Sequence, residues 1–284
     1  MLRQSKNRNS KKHQIISLQT PMKKTILIAL LTLFSAVCFA QDGGPLKFLG
    51  IPIDGTEAQF ATKLKAKGFT YSSVTESYKG QFNGKNVDVY IHTNHNLVDR
   101  VFVAFPYTNE NGIRTEFNHL LGQFKDNGKY LDLVMNEEIP EDDDISYEIT
   151  VKNKRYQASF CYYDTDRDRI AFMNALMDKF SEFFTTEQLE KLKEYAVKAV
   201  DAPQDQQEAL QEEMMAEMQK MGLGQDPDAE VDPEKAIKFL ATFLDGMRSL
   251  ADGDVWFMIH ERYGRYQIGL YYDNLHNQAH GEDL

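Results

Sequence analysis

Residues 255–272 read VWFMIHERYGRYQIGLYY, and this stretch decides the fold class. Val255 to Glu261 forms one apolar-rich arm, Tyr263-Gly264 is a turn, and Tyr266, Ile268, Leu270 and Tyr272 alternate on the return. A period of two around a glycine-containing turn predicts a β-hairpin with one apolar face. The same period appears upstream. Tyr78, Gly80 and Phe82 alternate before the Asn83-Gly84 turn. Val87, Val89 and Ile91 then alternate with Asp88, Tyr90 and His92. After the polar turn Asn94–Asn96, Val101, Val103 and Phe105 mark a third strand, stopped by Pro106. This predicts a three-stranded meander. Ile145, Tyr147, Ile149 and Val151 also alternate, Asn153-Lys154 turns, and Tyr156, Ala158, Phe160 and Tyr162 return, which predicts another hairpin.

Between these segments the period changes to 3.6. Leu46 to Ile53 is an apolar stretch closed by Asp54-Gly55, and Thr56 with Gln59 forms a capping box. Phe60, Leu64 and Lys67 share a helical face, and Gly68 stops that helix. Ile113, Phe117, Leu120, Leu121 and Phe124 stripe a second helix. Residues 169–250 read as helical throughout. The predicted buried faces there are Ile170, Met173, Leu176, Met177 and Phe180, then Leu189, Leu192, Tyr195, Ala196 and Ala199 behind a Thr185/Gln188 capping box. An acidic helix at about 204–221 carries Leu210, Met214, Met218 and Met221, and a last helix opened by Asp232-Pro233 carries Ile237, Leu240, Phe243, Leu244 and Met247.

The expected fold class is therefore α+β. A mainly antiparallel sheet is built from the meander and two hairpins, with helices on one side and a helical insertion. Residues 45–138 form an α+β unit of helix, meander and helix. Residues 139–284 supply a hairpin, the insertion at 169–250, and the C-terminal hairpin that completes the sheet. Arg265-Tyr266-Gln267…Tyr271-Tyr272-Asp273 echoes Arg155-Tyr156-Gln157…Tyr162-Tyr163-Asp164, with spacing that differs by one residue. Duplication and chance both account for the echo.

The start of the chain reads as an export signal. Residues 22–40 are MKKTILIALLTLFSAVCFA: two lysines, an apolar run from Ile26 to Phe34, and small residues at Cys38 and Ala40. Cleavage between Ala40 and Gln41 is expected, with residues 1–21 as a basic extension. The run is short for a permanent membrane span. Lipid modification at Cys38 is disfavoured by the bulky Val37 before it. The expected location is periplasmic or secreted, with no stable membrane insertion after signal cleavage.

Composition narrows the function. The chain has 284 residues with Lys+Arg 32 and Asp+Glu 43, for a net charge of −11. Residues 1–40 hold seven of the basic residues and no acidic one, so the remainder has 25 basic and 43 acidic residues, a net of −18. Such a surface disfavours duplex nucleic acid, which needs cationic groups to displace counterions. With Cys 2 in the chain and Cys161 alone after residue 40, no internal disulfide remains in the exported form.

Several constellations merit chemical weighing. Asp164, Asp166 and Asp168 have the alternate spacing of a calcium loop, but Arg169 stands where the loop needs glycine and Ala175 where it needs glutamate. The plainer reading is acidic residues leading into a helix. His276 and His280, with Glu282 and Asp283 beyond, have zinc-like spacing, yet the surrounding polar run favours a solvated tail. Cys161 lies in an aromatic strand and is expected to pack as a small apolar group. The Met214/Met215/Met218/Met221 cluster suits an adaptable groove or, more simply, a buried helix face. No nucleophile elbow, phosphate loop, dinucleotide fingerprint, zincin helix or CxxC motif occurs, so no cofactor is expected.

The segment Phe48-Leu49-Gly50-Ile51-Pro52-Ile53-Asp54-Gly55-Thr56, with Lys67-Gly68-Phe69 and the closing Leu270-Tyr271-Tyr272-Asp273-Asn274…Glu282-Asp283-Leu284, resembles a group of uncharacterised exported Bacteroidota proteins. That resemblance covers about 45–106 and 255–284. It implies an exported α+β protein and assigns no activity. In layout alone, helix plus meander is similar to binding modules of the β-lactamase-inhibitor-protein type. The expected function is a non-enzymatic binding module of the cell envelope, with a protein or glycan ligand. The alternative is a hydrolase, for example glycan-directed, that uses dispersed Asp/Glu residues.

Overall fold

The computed structural model describes residues 44–164, 169–201, 206, 209, 210, 213, 216 and 233–279. The export signal and most of the acidic helix predicted at about 204–221, including Met214, Met215, Met218 and Met221, lie outside the described residues. So do Asp166, Asp168, His280 and the predicted cap Asp232. The chain divides into two compact units. One comprises residues 40–167 and 248–284, and the other includes 168–247.

The sheet unit opens with β1 (Lys47–Phe48) and β2 (Ile51–Pro52), a miniature antiparallel pair. Helix α1 (Glu57–Ala66) follows, its start closed by the Thr56/Gln59 capping box. Strands β3 (Thr70–Ser72), β4 (Ser77–Phe82), β5 (Lys85–Asn94) and β6 (Leu97–Ala104) form a meander. It is one strand longer than the sequence predicts, because the short, exposed β3 has no alternation to reveal it. Helix α2 (Glu110–Asp126), β7 (Tyr130–Leu131), α3 (Ile145–Thr150) and β8 (Gln157–Tyr162) come next. After the inserted unit, β9 (Gly253–Arg262) and β10 (Arg265–Asn274) complete the sheet.

The fold is α+β, with an eight-stranded antiparallel sheet in the order β3-β4-β5-β6-β10-β9-β8-β7. Each half supplies a leading helix and four strands, interrupted in the second half by α3 and the inserted unit, and the halves meet where β6 pairs with β10. In this layout β10 corresponds to β6, and β8 to β4. The echo between residues 155–164 and 265–273 therefore joins two strands that flank β9, and does not follow the topological repeat.

One expectation is overturned. Residues 145–151 do not form the first arm of a hairpin; residues 145–150 are the helix α3. The Asp144 carboxylate accepts from the Tyr147 amide at 2.8 Å and caps the helix. Ile145 is buried and Ile149 packs on the core, while Tyr147 and Val151 are exposed. A spacing of four satisfies both a strand and a helix, so only the intermediate positions distinguish them. Asn153, at φ 54°, then turns the chain into β8.

All helices of this unit pack on one face of the sheet. Phe60 and Leu64 of α1, Phe117 and Leu121 of α2 and Ile145 of α3 join Val89, Val103, Phe257, Ile268 and Leu270 in one core. The Phe124 ring lies 5.3 Å from Phe160 and 5.9 Å from Phe257. Three hairpins close with two left-handed residues, at Asn83-Gly84, His95-Asn96 and Tyr263-Gly264. That geometry matches the twist of the paired strands.

The inserted unit has its own aromatic core. It contains α4 (Arg169–Asp178), α5 (Thr186–Asp201) and α6 (Pro233–Ser249). Phe180 sits 4.9 Å from Phe239 and 6.4 Å from Phe243 by ring centroid. The capping box before α5 is formed: Thr185 N–H donates to Gln188, and the Gln188 amide donates back to the Thr185 hydroxyl. Two predicted core residues are instead exposed, Ile170 at 37% and Ile237 at 65%. In α6 the buried stripe runs through Phe239, Phe243 and Met247, so Ile237 is rotated away from it. No described helix is long and apolar enough to cross a membrane.

Gly80 faces the core, where an added Cβ would lie 2.4 Å from the Phe69 ring. Gly80→Ala should destabilise the protein by about 1–3 kcal/mol through this overlap. Urea denaturation checks it; an unchanged midpoint would show that Phe69 can move aside.

Candidate functional site

Alternation gives each strand a second set of side chains, opposite the core. On the four central strands these include aromatic residues. Tyr90 of β5 is the register partner of Phe102 of β6. Phe102 pairs with Tyr271 of β10, and Tyr271 with Trp256 of β9. The result is a continuous row across the sheet, on a face that carries no helix of this unit.

The four rings stack on one another. Centroid separations are 5.5 Å for Tyr90–Phe102, 4.6 Å for Phe102–Tyr271 and 3.8 Å for Tyr271–Trp256, with interplanar angles of 25°, 21° and 7°. Rings stacked along the strand-to-strand direction stand upright on the sheet, so they present edges outward and keep most of their faces internal. All four are half-buried. Offset and parallel stacks of this kind contribute about 0.5–1.5 kcal/mol per pair beyond burial.

An ion pair braces one side of the row. Arg100 donates from Nε to Asp273 Oδ1 at 2.5 Å and from Nη2 to Oδ2 at 3.0 Å. The Asp273 carboxylate is buried and also accepts from the Trp256 indole N–H at 2.9 Å. Asp273 raises the Arg100 pKa, the hydrogen bond being the main cause. The guanidinium carbon sits 5.7 Å from the Tyr271 ring and 6.0 Å from Trp256. Charge, indole and phenol thus hold one another in a single geometry.

Nearby polar groups are committed in the same way. Buried Asp99, at a bulge in β6, holds His92 Nδ1 at 2.7 Å. Asp88 accepts from Lys79 and from Ser77. His260 lies 3.3 Å from the Tyr271 hydroxyl, and burial pushes its pKa down. Burial likewise pushes the Tyr271 phenol up. Gly269 lets these groups converge: an added Cβ would lie 2.7 Å from His260 Nε2 and 2.9 Å from Phe102.

The residues singled out by sequence fall elsewhere. Asp164 has a structural role, accepting from the Gly44 amide at 2.6 Å while its own amide donates to Asp252. Among the described residues no group of three or more His, Cys, Asp or Glu is placed to hold a metal ion. His276 is exposed to solvent as expected, yet it is tied down, because its Nε2 meets buried Asp252 at 2.8 Å and its own amide donates to Asn274. The following Asn277 is stitched to Val98 and Asp54. Cys161 is buried, though it lies on the face opposite Phe160 and Tyr162, across from Asp254. Burial, reinforced by Asp254, pushes its thiol up to about 12, which suppresses a nucleophilic thiolate. The depression along α4 and α5 is lined by residues such as Glu194 and Lys198 that pair with each other at 2.8 Å.

Sequence reading missed the aromatic row. Its signal was present as Tyr90, Phe102, Trp256 and Tyr271 on the parity opposite the core. Their alignment depends on strand order and register, which alternation alone does not specify. Comparison with family models, curated proteins and solved structures finds no match.

Two titrations test this geometry. Because the folded state favours neutral His260, that contribution is intact above pH ~6.5 and is lost as pH falls below it toward the depressed folded value. Stability measured by urea at pH 7.5 and 5.5 should therefore drop less in His260→Gln than in the wild type; an equal drop refutes the assignment. Asp254 has the opposite linkage, since burial raises its pKa and disfavours its charge. Its favourable contribution is present at low pH and lost as pH rises through the folded value. Asp254→Asn should then be at least as stable as wild type near neutral pH, and a lower melting temperature would contradict this.

Proposed function

We propose that the protein is an exported binding module that engages a macromolecular ligand through the aromatic row on the sheet face opposite the helices of its own unit. The observation that carries this reading is the braced row Tyr90–Phe102–Tyr271–Trp256. The core does not require it. Four aromatic side chains are held half-exposed on the far side of the sheet, fixed by buried Asp273 and its half-exposed partner Arg100. Rigid Tyr, Trp and Arg side chains are the groups that dominate binding energy at protein surfaces, because little entropy is lost when a partner covers them. Hydrolysis by dispersed carboxylates has less support on this face. Asp88, Asp99 and Asp273 are each tied to a cation, histidine or indole.

Trp256 is the sole tryptophan in the chain, so its fluorescence reports directly on the site. The expected result is that immobilised wild-type protein retains from an envelope extract a component that shields Trp256 from acrylamide. A Phe102→Ala/Tyr271→Ala variant, folded by circular dichroism, should retain it at least about tenfold less well. Equal retention by the variant, or polysaccharide cleavage unaffected by these substitutions, would refute the reading.

A further inference from the structure

The face of the aromatic row has a second feature at one end. Arg155, Arg262 and Arg265 are exposed there, and none has a carboxylate partner among the described residues. The Arg-Tyr-Gln echo places Arg155 and Arg265 at the same end of the sheet. Arg155-Tyr156-Gln157 leads into β8 and Arg265-Tyr266-Gln267 opens β10. Both strands flank β9 and run antiparallel to it, so both begin at the end where β9 finishes with Arg262. Tyr156 and Tyr266 belong to the core. Alternation therefore places the two preceding arginines on the opposite face, which is the face of the aromatic row. Arg262 shares the parity of Trp256 and His260 on β9.

Arg262 and Arg265 are direct register partners. Like charges directly opposite one another destabilise a strand pair. Among the described residues no carboxylate pairs with either. Arg262 lies 5.6 Å over the Tyr263 ring, and Arg265 lies 5.8 Å over Tyr107 while donating to the Tyr107 carbonyl at 3.3 Å. Neighbouring Glu261 spends its carboxylate on the Gly264 amide at 2.6 Å. Tyr263, at the tip, is 91% exposed. This unpaired cationic corner belongs to a chain of net charge −11.

We propose that the arginine end of the sheet face binds a carboxylate-rich polypeptide segment, which continues along the aromatic row. The proposal rests on reading this face as the binding surface. Guanidinium forks match carboxylates in geometry and charge. Upright rings offer edges and few free faces, so they are poorly suited to stacking pyranose rings. A bilayer or a nucleic acid would bring an anionic surface against the whole acidic body, whereas an acidic peptide meets only the arginine corner.

The test uses fluorescein-labelled octaglutamate, with polygalacturonate and phosphatidylglycerol/phosphatidylcholine vesicles as competing probes. Octaglutamate should bind the full chain at low salt, weaken as salt rises, and shield Trp256 from acrylamide. Arg262→Gln/Arg265→Gln should weaken binding by at least about tenfold. Removing the opposed charges should leave the melting temperature of that variant unchanged or higher, which separates lost binding from lost folding. No binding of octaglutamate, unchanged affinity in the variant, or preference for polygalacturonate or vesicles would overturn the proposal. If another ligand shields Trp256 while the arginine variant is neutral, only the arginine site fails. Tight, arginine-dependent peptide binding that leaves Trp256 unshielded refutes both the continuation along the row and the sheet-face reading.

Discussion

The structure depends most on the pairing of β10 with its two neighbours. Every residue from Arg265 to Asn274 is registered against β9, and residues 269–273 are registered against β6. This strand joins the two halves of the sheet. It also sorts side chains between faces, with Tyr266, Ile268, Leu270 and Tyr272 in the core and Tyr271 and Asp273 opposite. A slip of one residue would exchange these sets, exposing the apolar group and burying Asp273 away from Arg100. The Tyr263-Gly264 turn holds the register because its two left-handed residues close the hairpin without splaying the strands.

The two faces do different work. The core face packs helices, and its aromatic contacts, such as Phe117 to Phe257 at 5.0 Å, are covered on all sides. The opposite face carries aromatic rings that are only half covered and are held by stacking and by the Arg100–Asp273 pair. Burying the Asp273 carboxylate costs desolvation that its bonds to half-exposed Arg100 and to Trp256 offset, so the value of the pair on this face is geometric more than stabilising. Gly269 fits the same logic, since it gives up a side chain to let Phe102 and His260 approach.

Legibility varied with the kind of signal. Capping boxes at Thr56 and Thr185 were readable because the partners are three residues apart and interact locally. Long alternating strands were readable because only one structure satisfies a period of two over many residues. The segment 145–151 was misread because Ile145 and Ile149 fit both periods, and exposure of Tyr147 depends on what packs there. Ile237 was misread because a helix rich in apolar residues offers more than one stripe, and neighbouring helices choose between them. The order of His276 was invisible because Asp252, its partner, lies 24 residues away.

Local chemistry alone determined that this chain builds an antiparallel sheet with helices, where the Asn83-Gly84 and Tyr263-Gly264 hairpins turn, and where the helices behind the Thr56 and Thr185 caps begin. These features arise from contacts a few residues apart, and each leaves its mark in the sequence as period, cap or turn. Only tertiary structure decided which strands become neighbours. That choice aligned Tyr90, Phe102, Tyr271 and Trp256 into one row and brought Arg155, Arg262 and Arg265 to one end of the sheet. The physical reason is that strand order and register are set by packing across the whole core, whereas a side chain on the outer parity carries no local record of what will stand beside it.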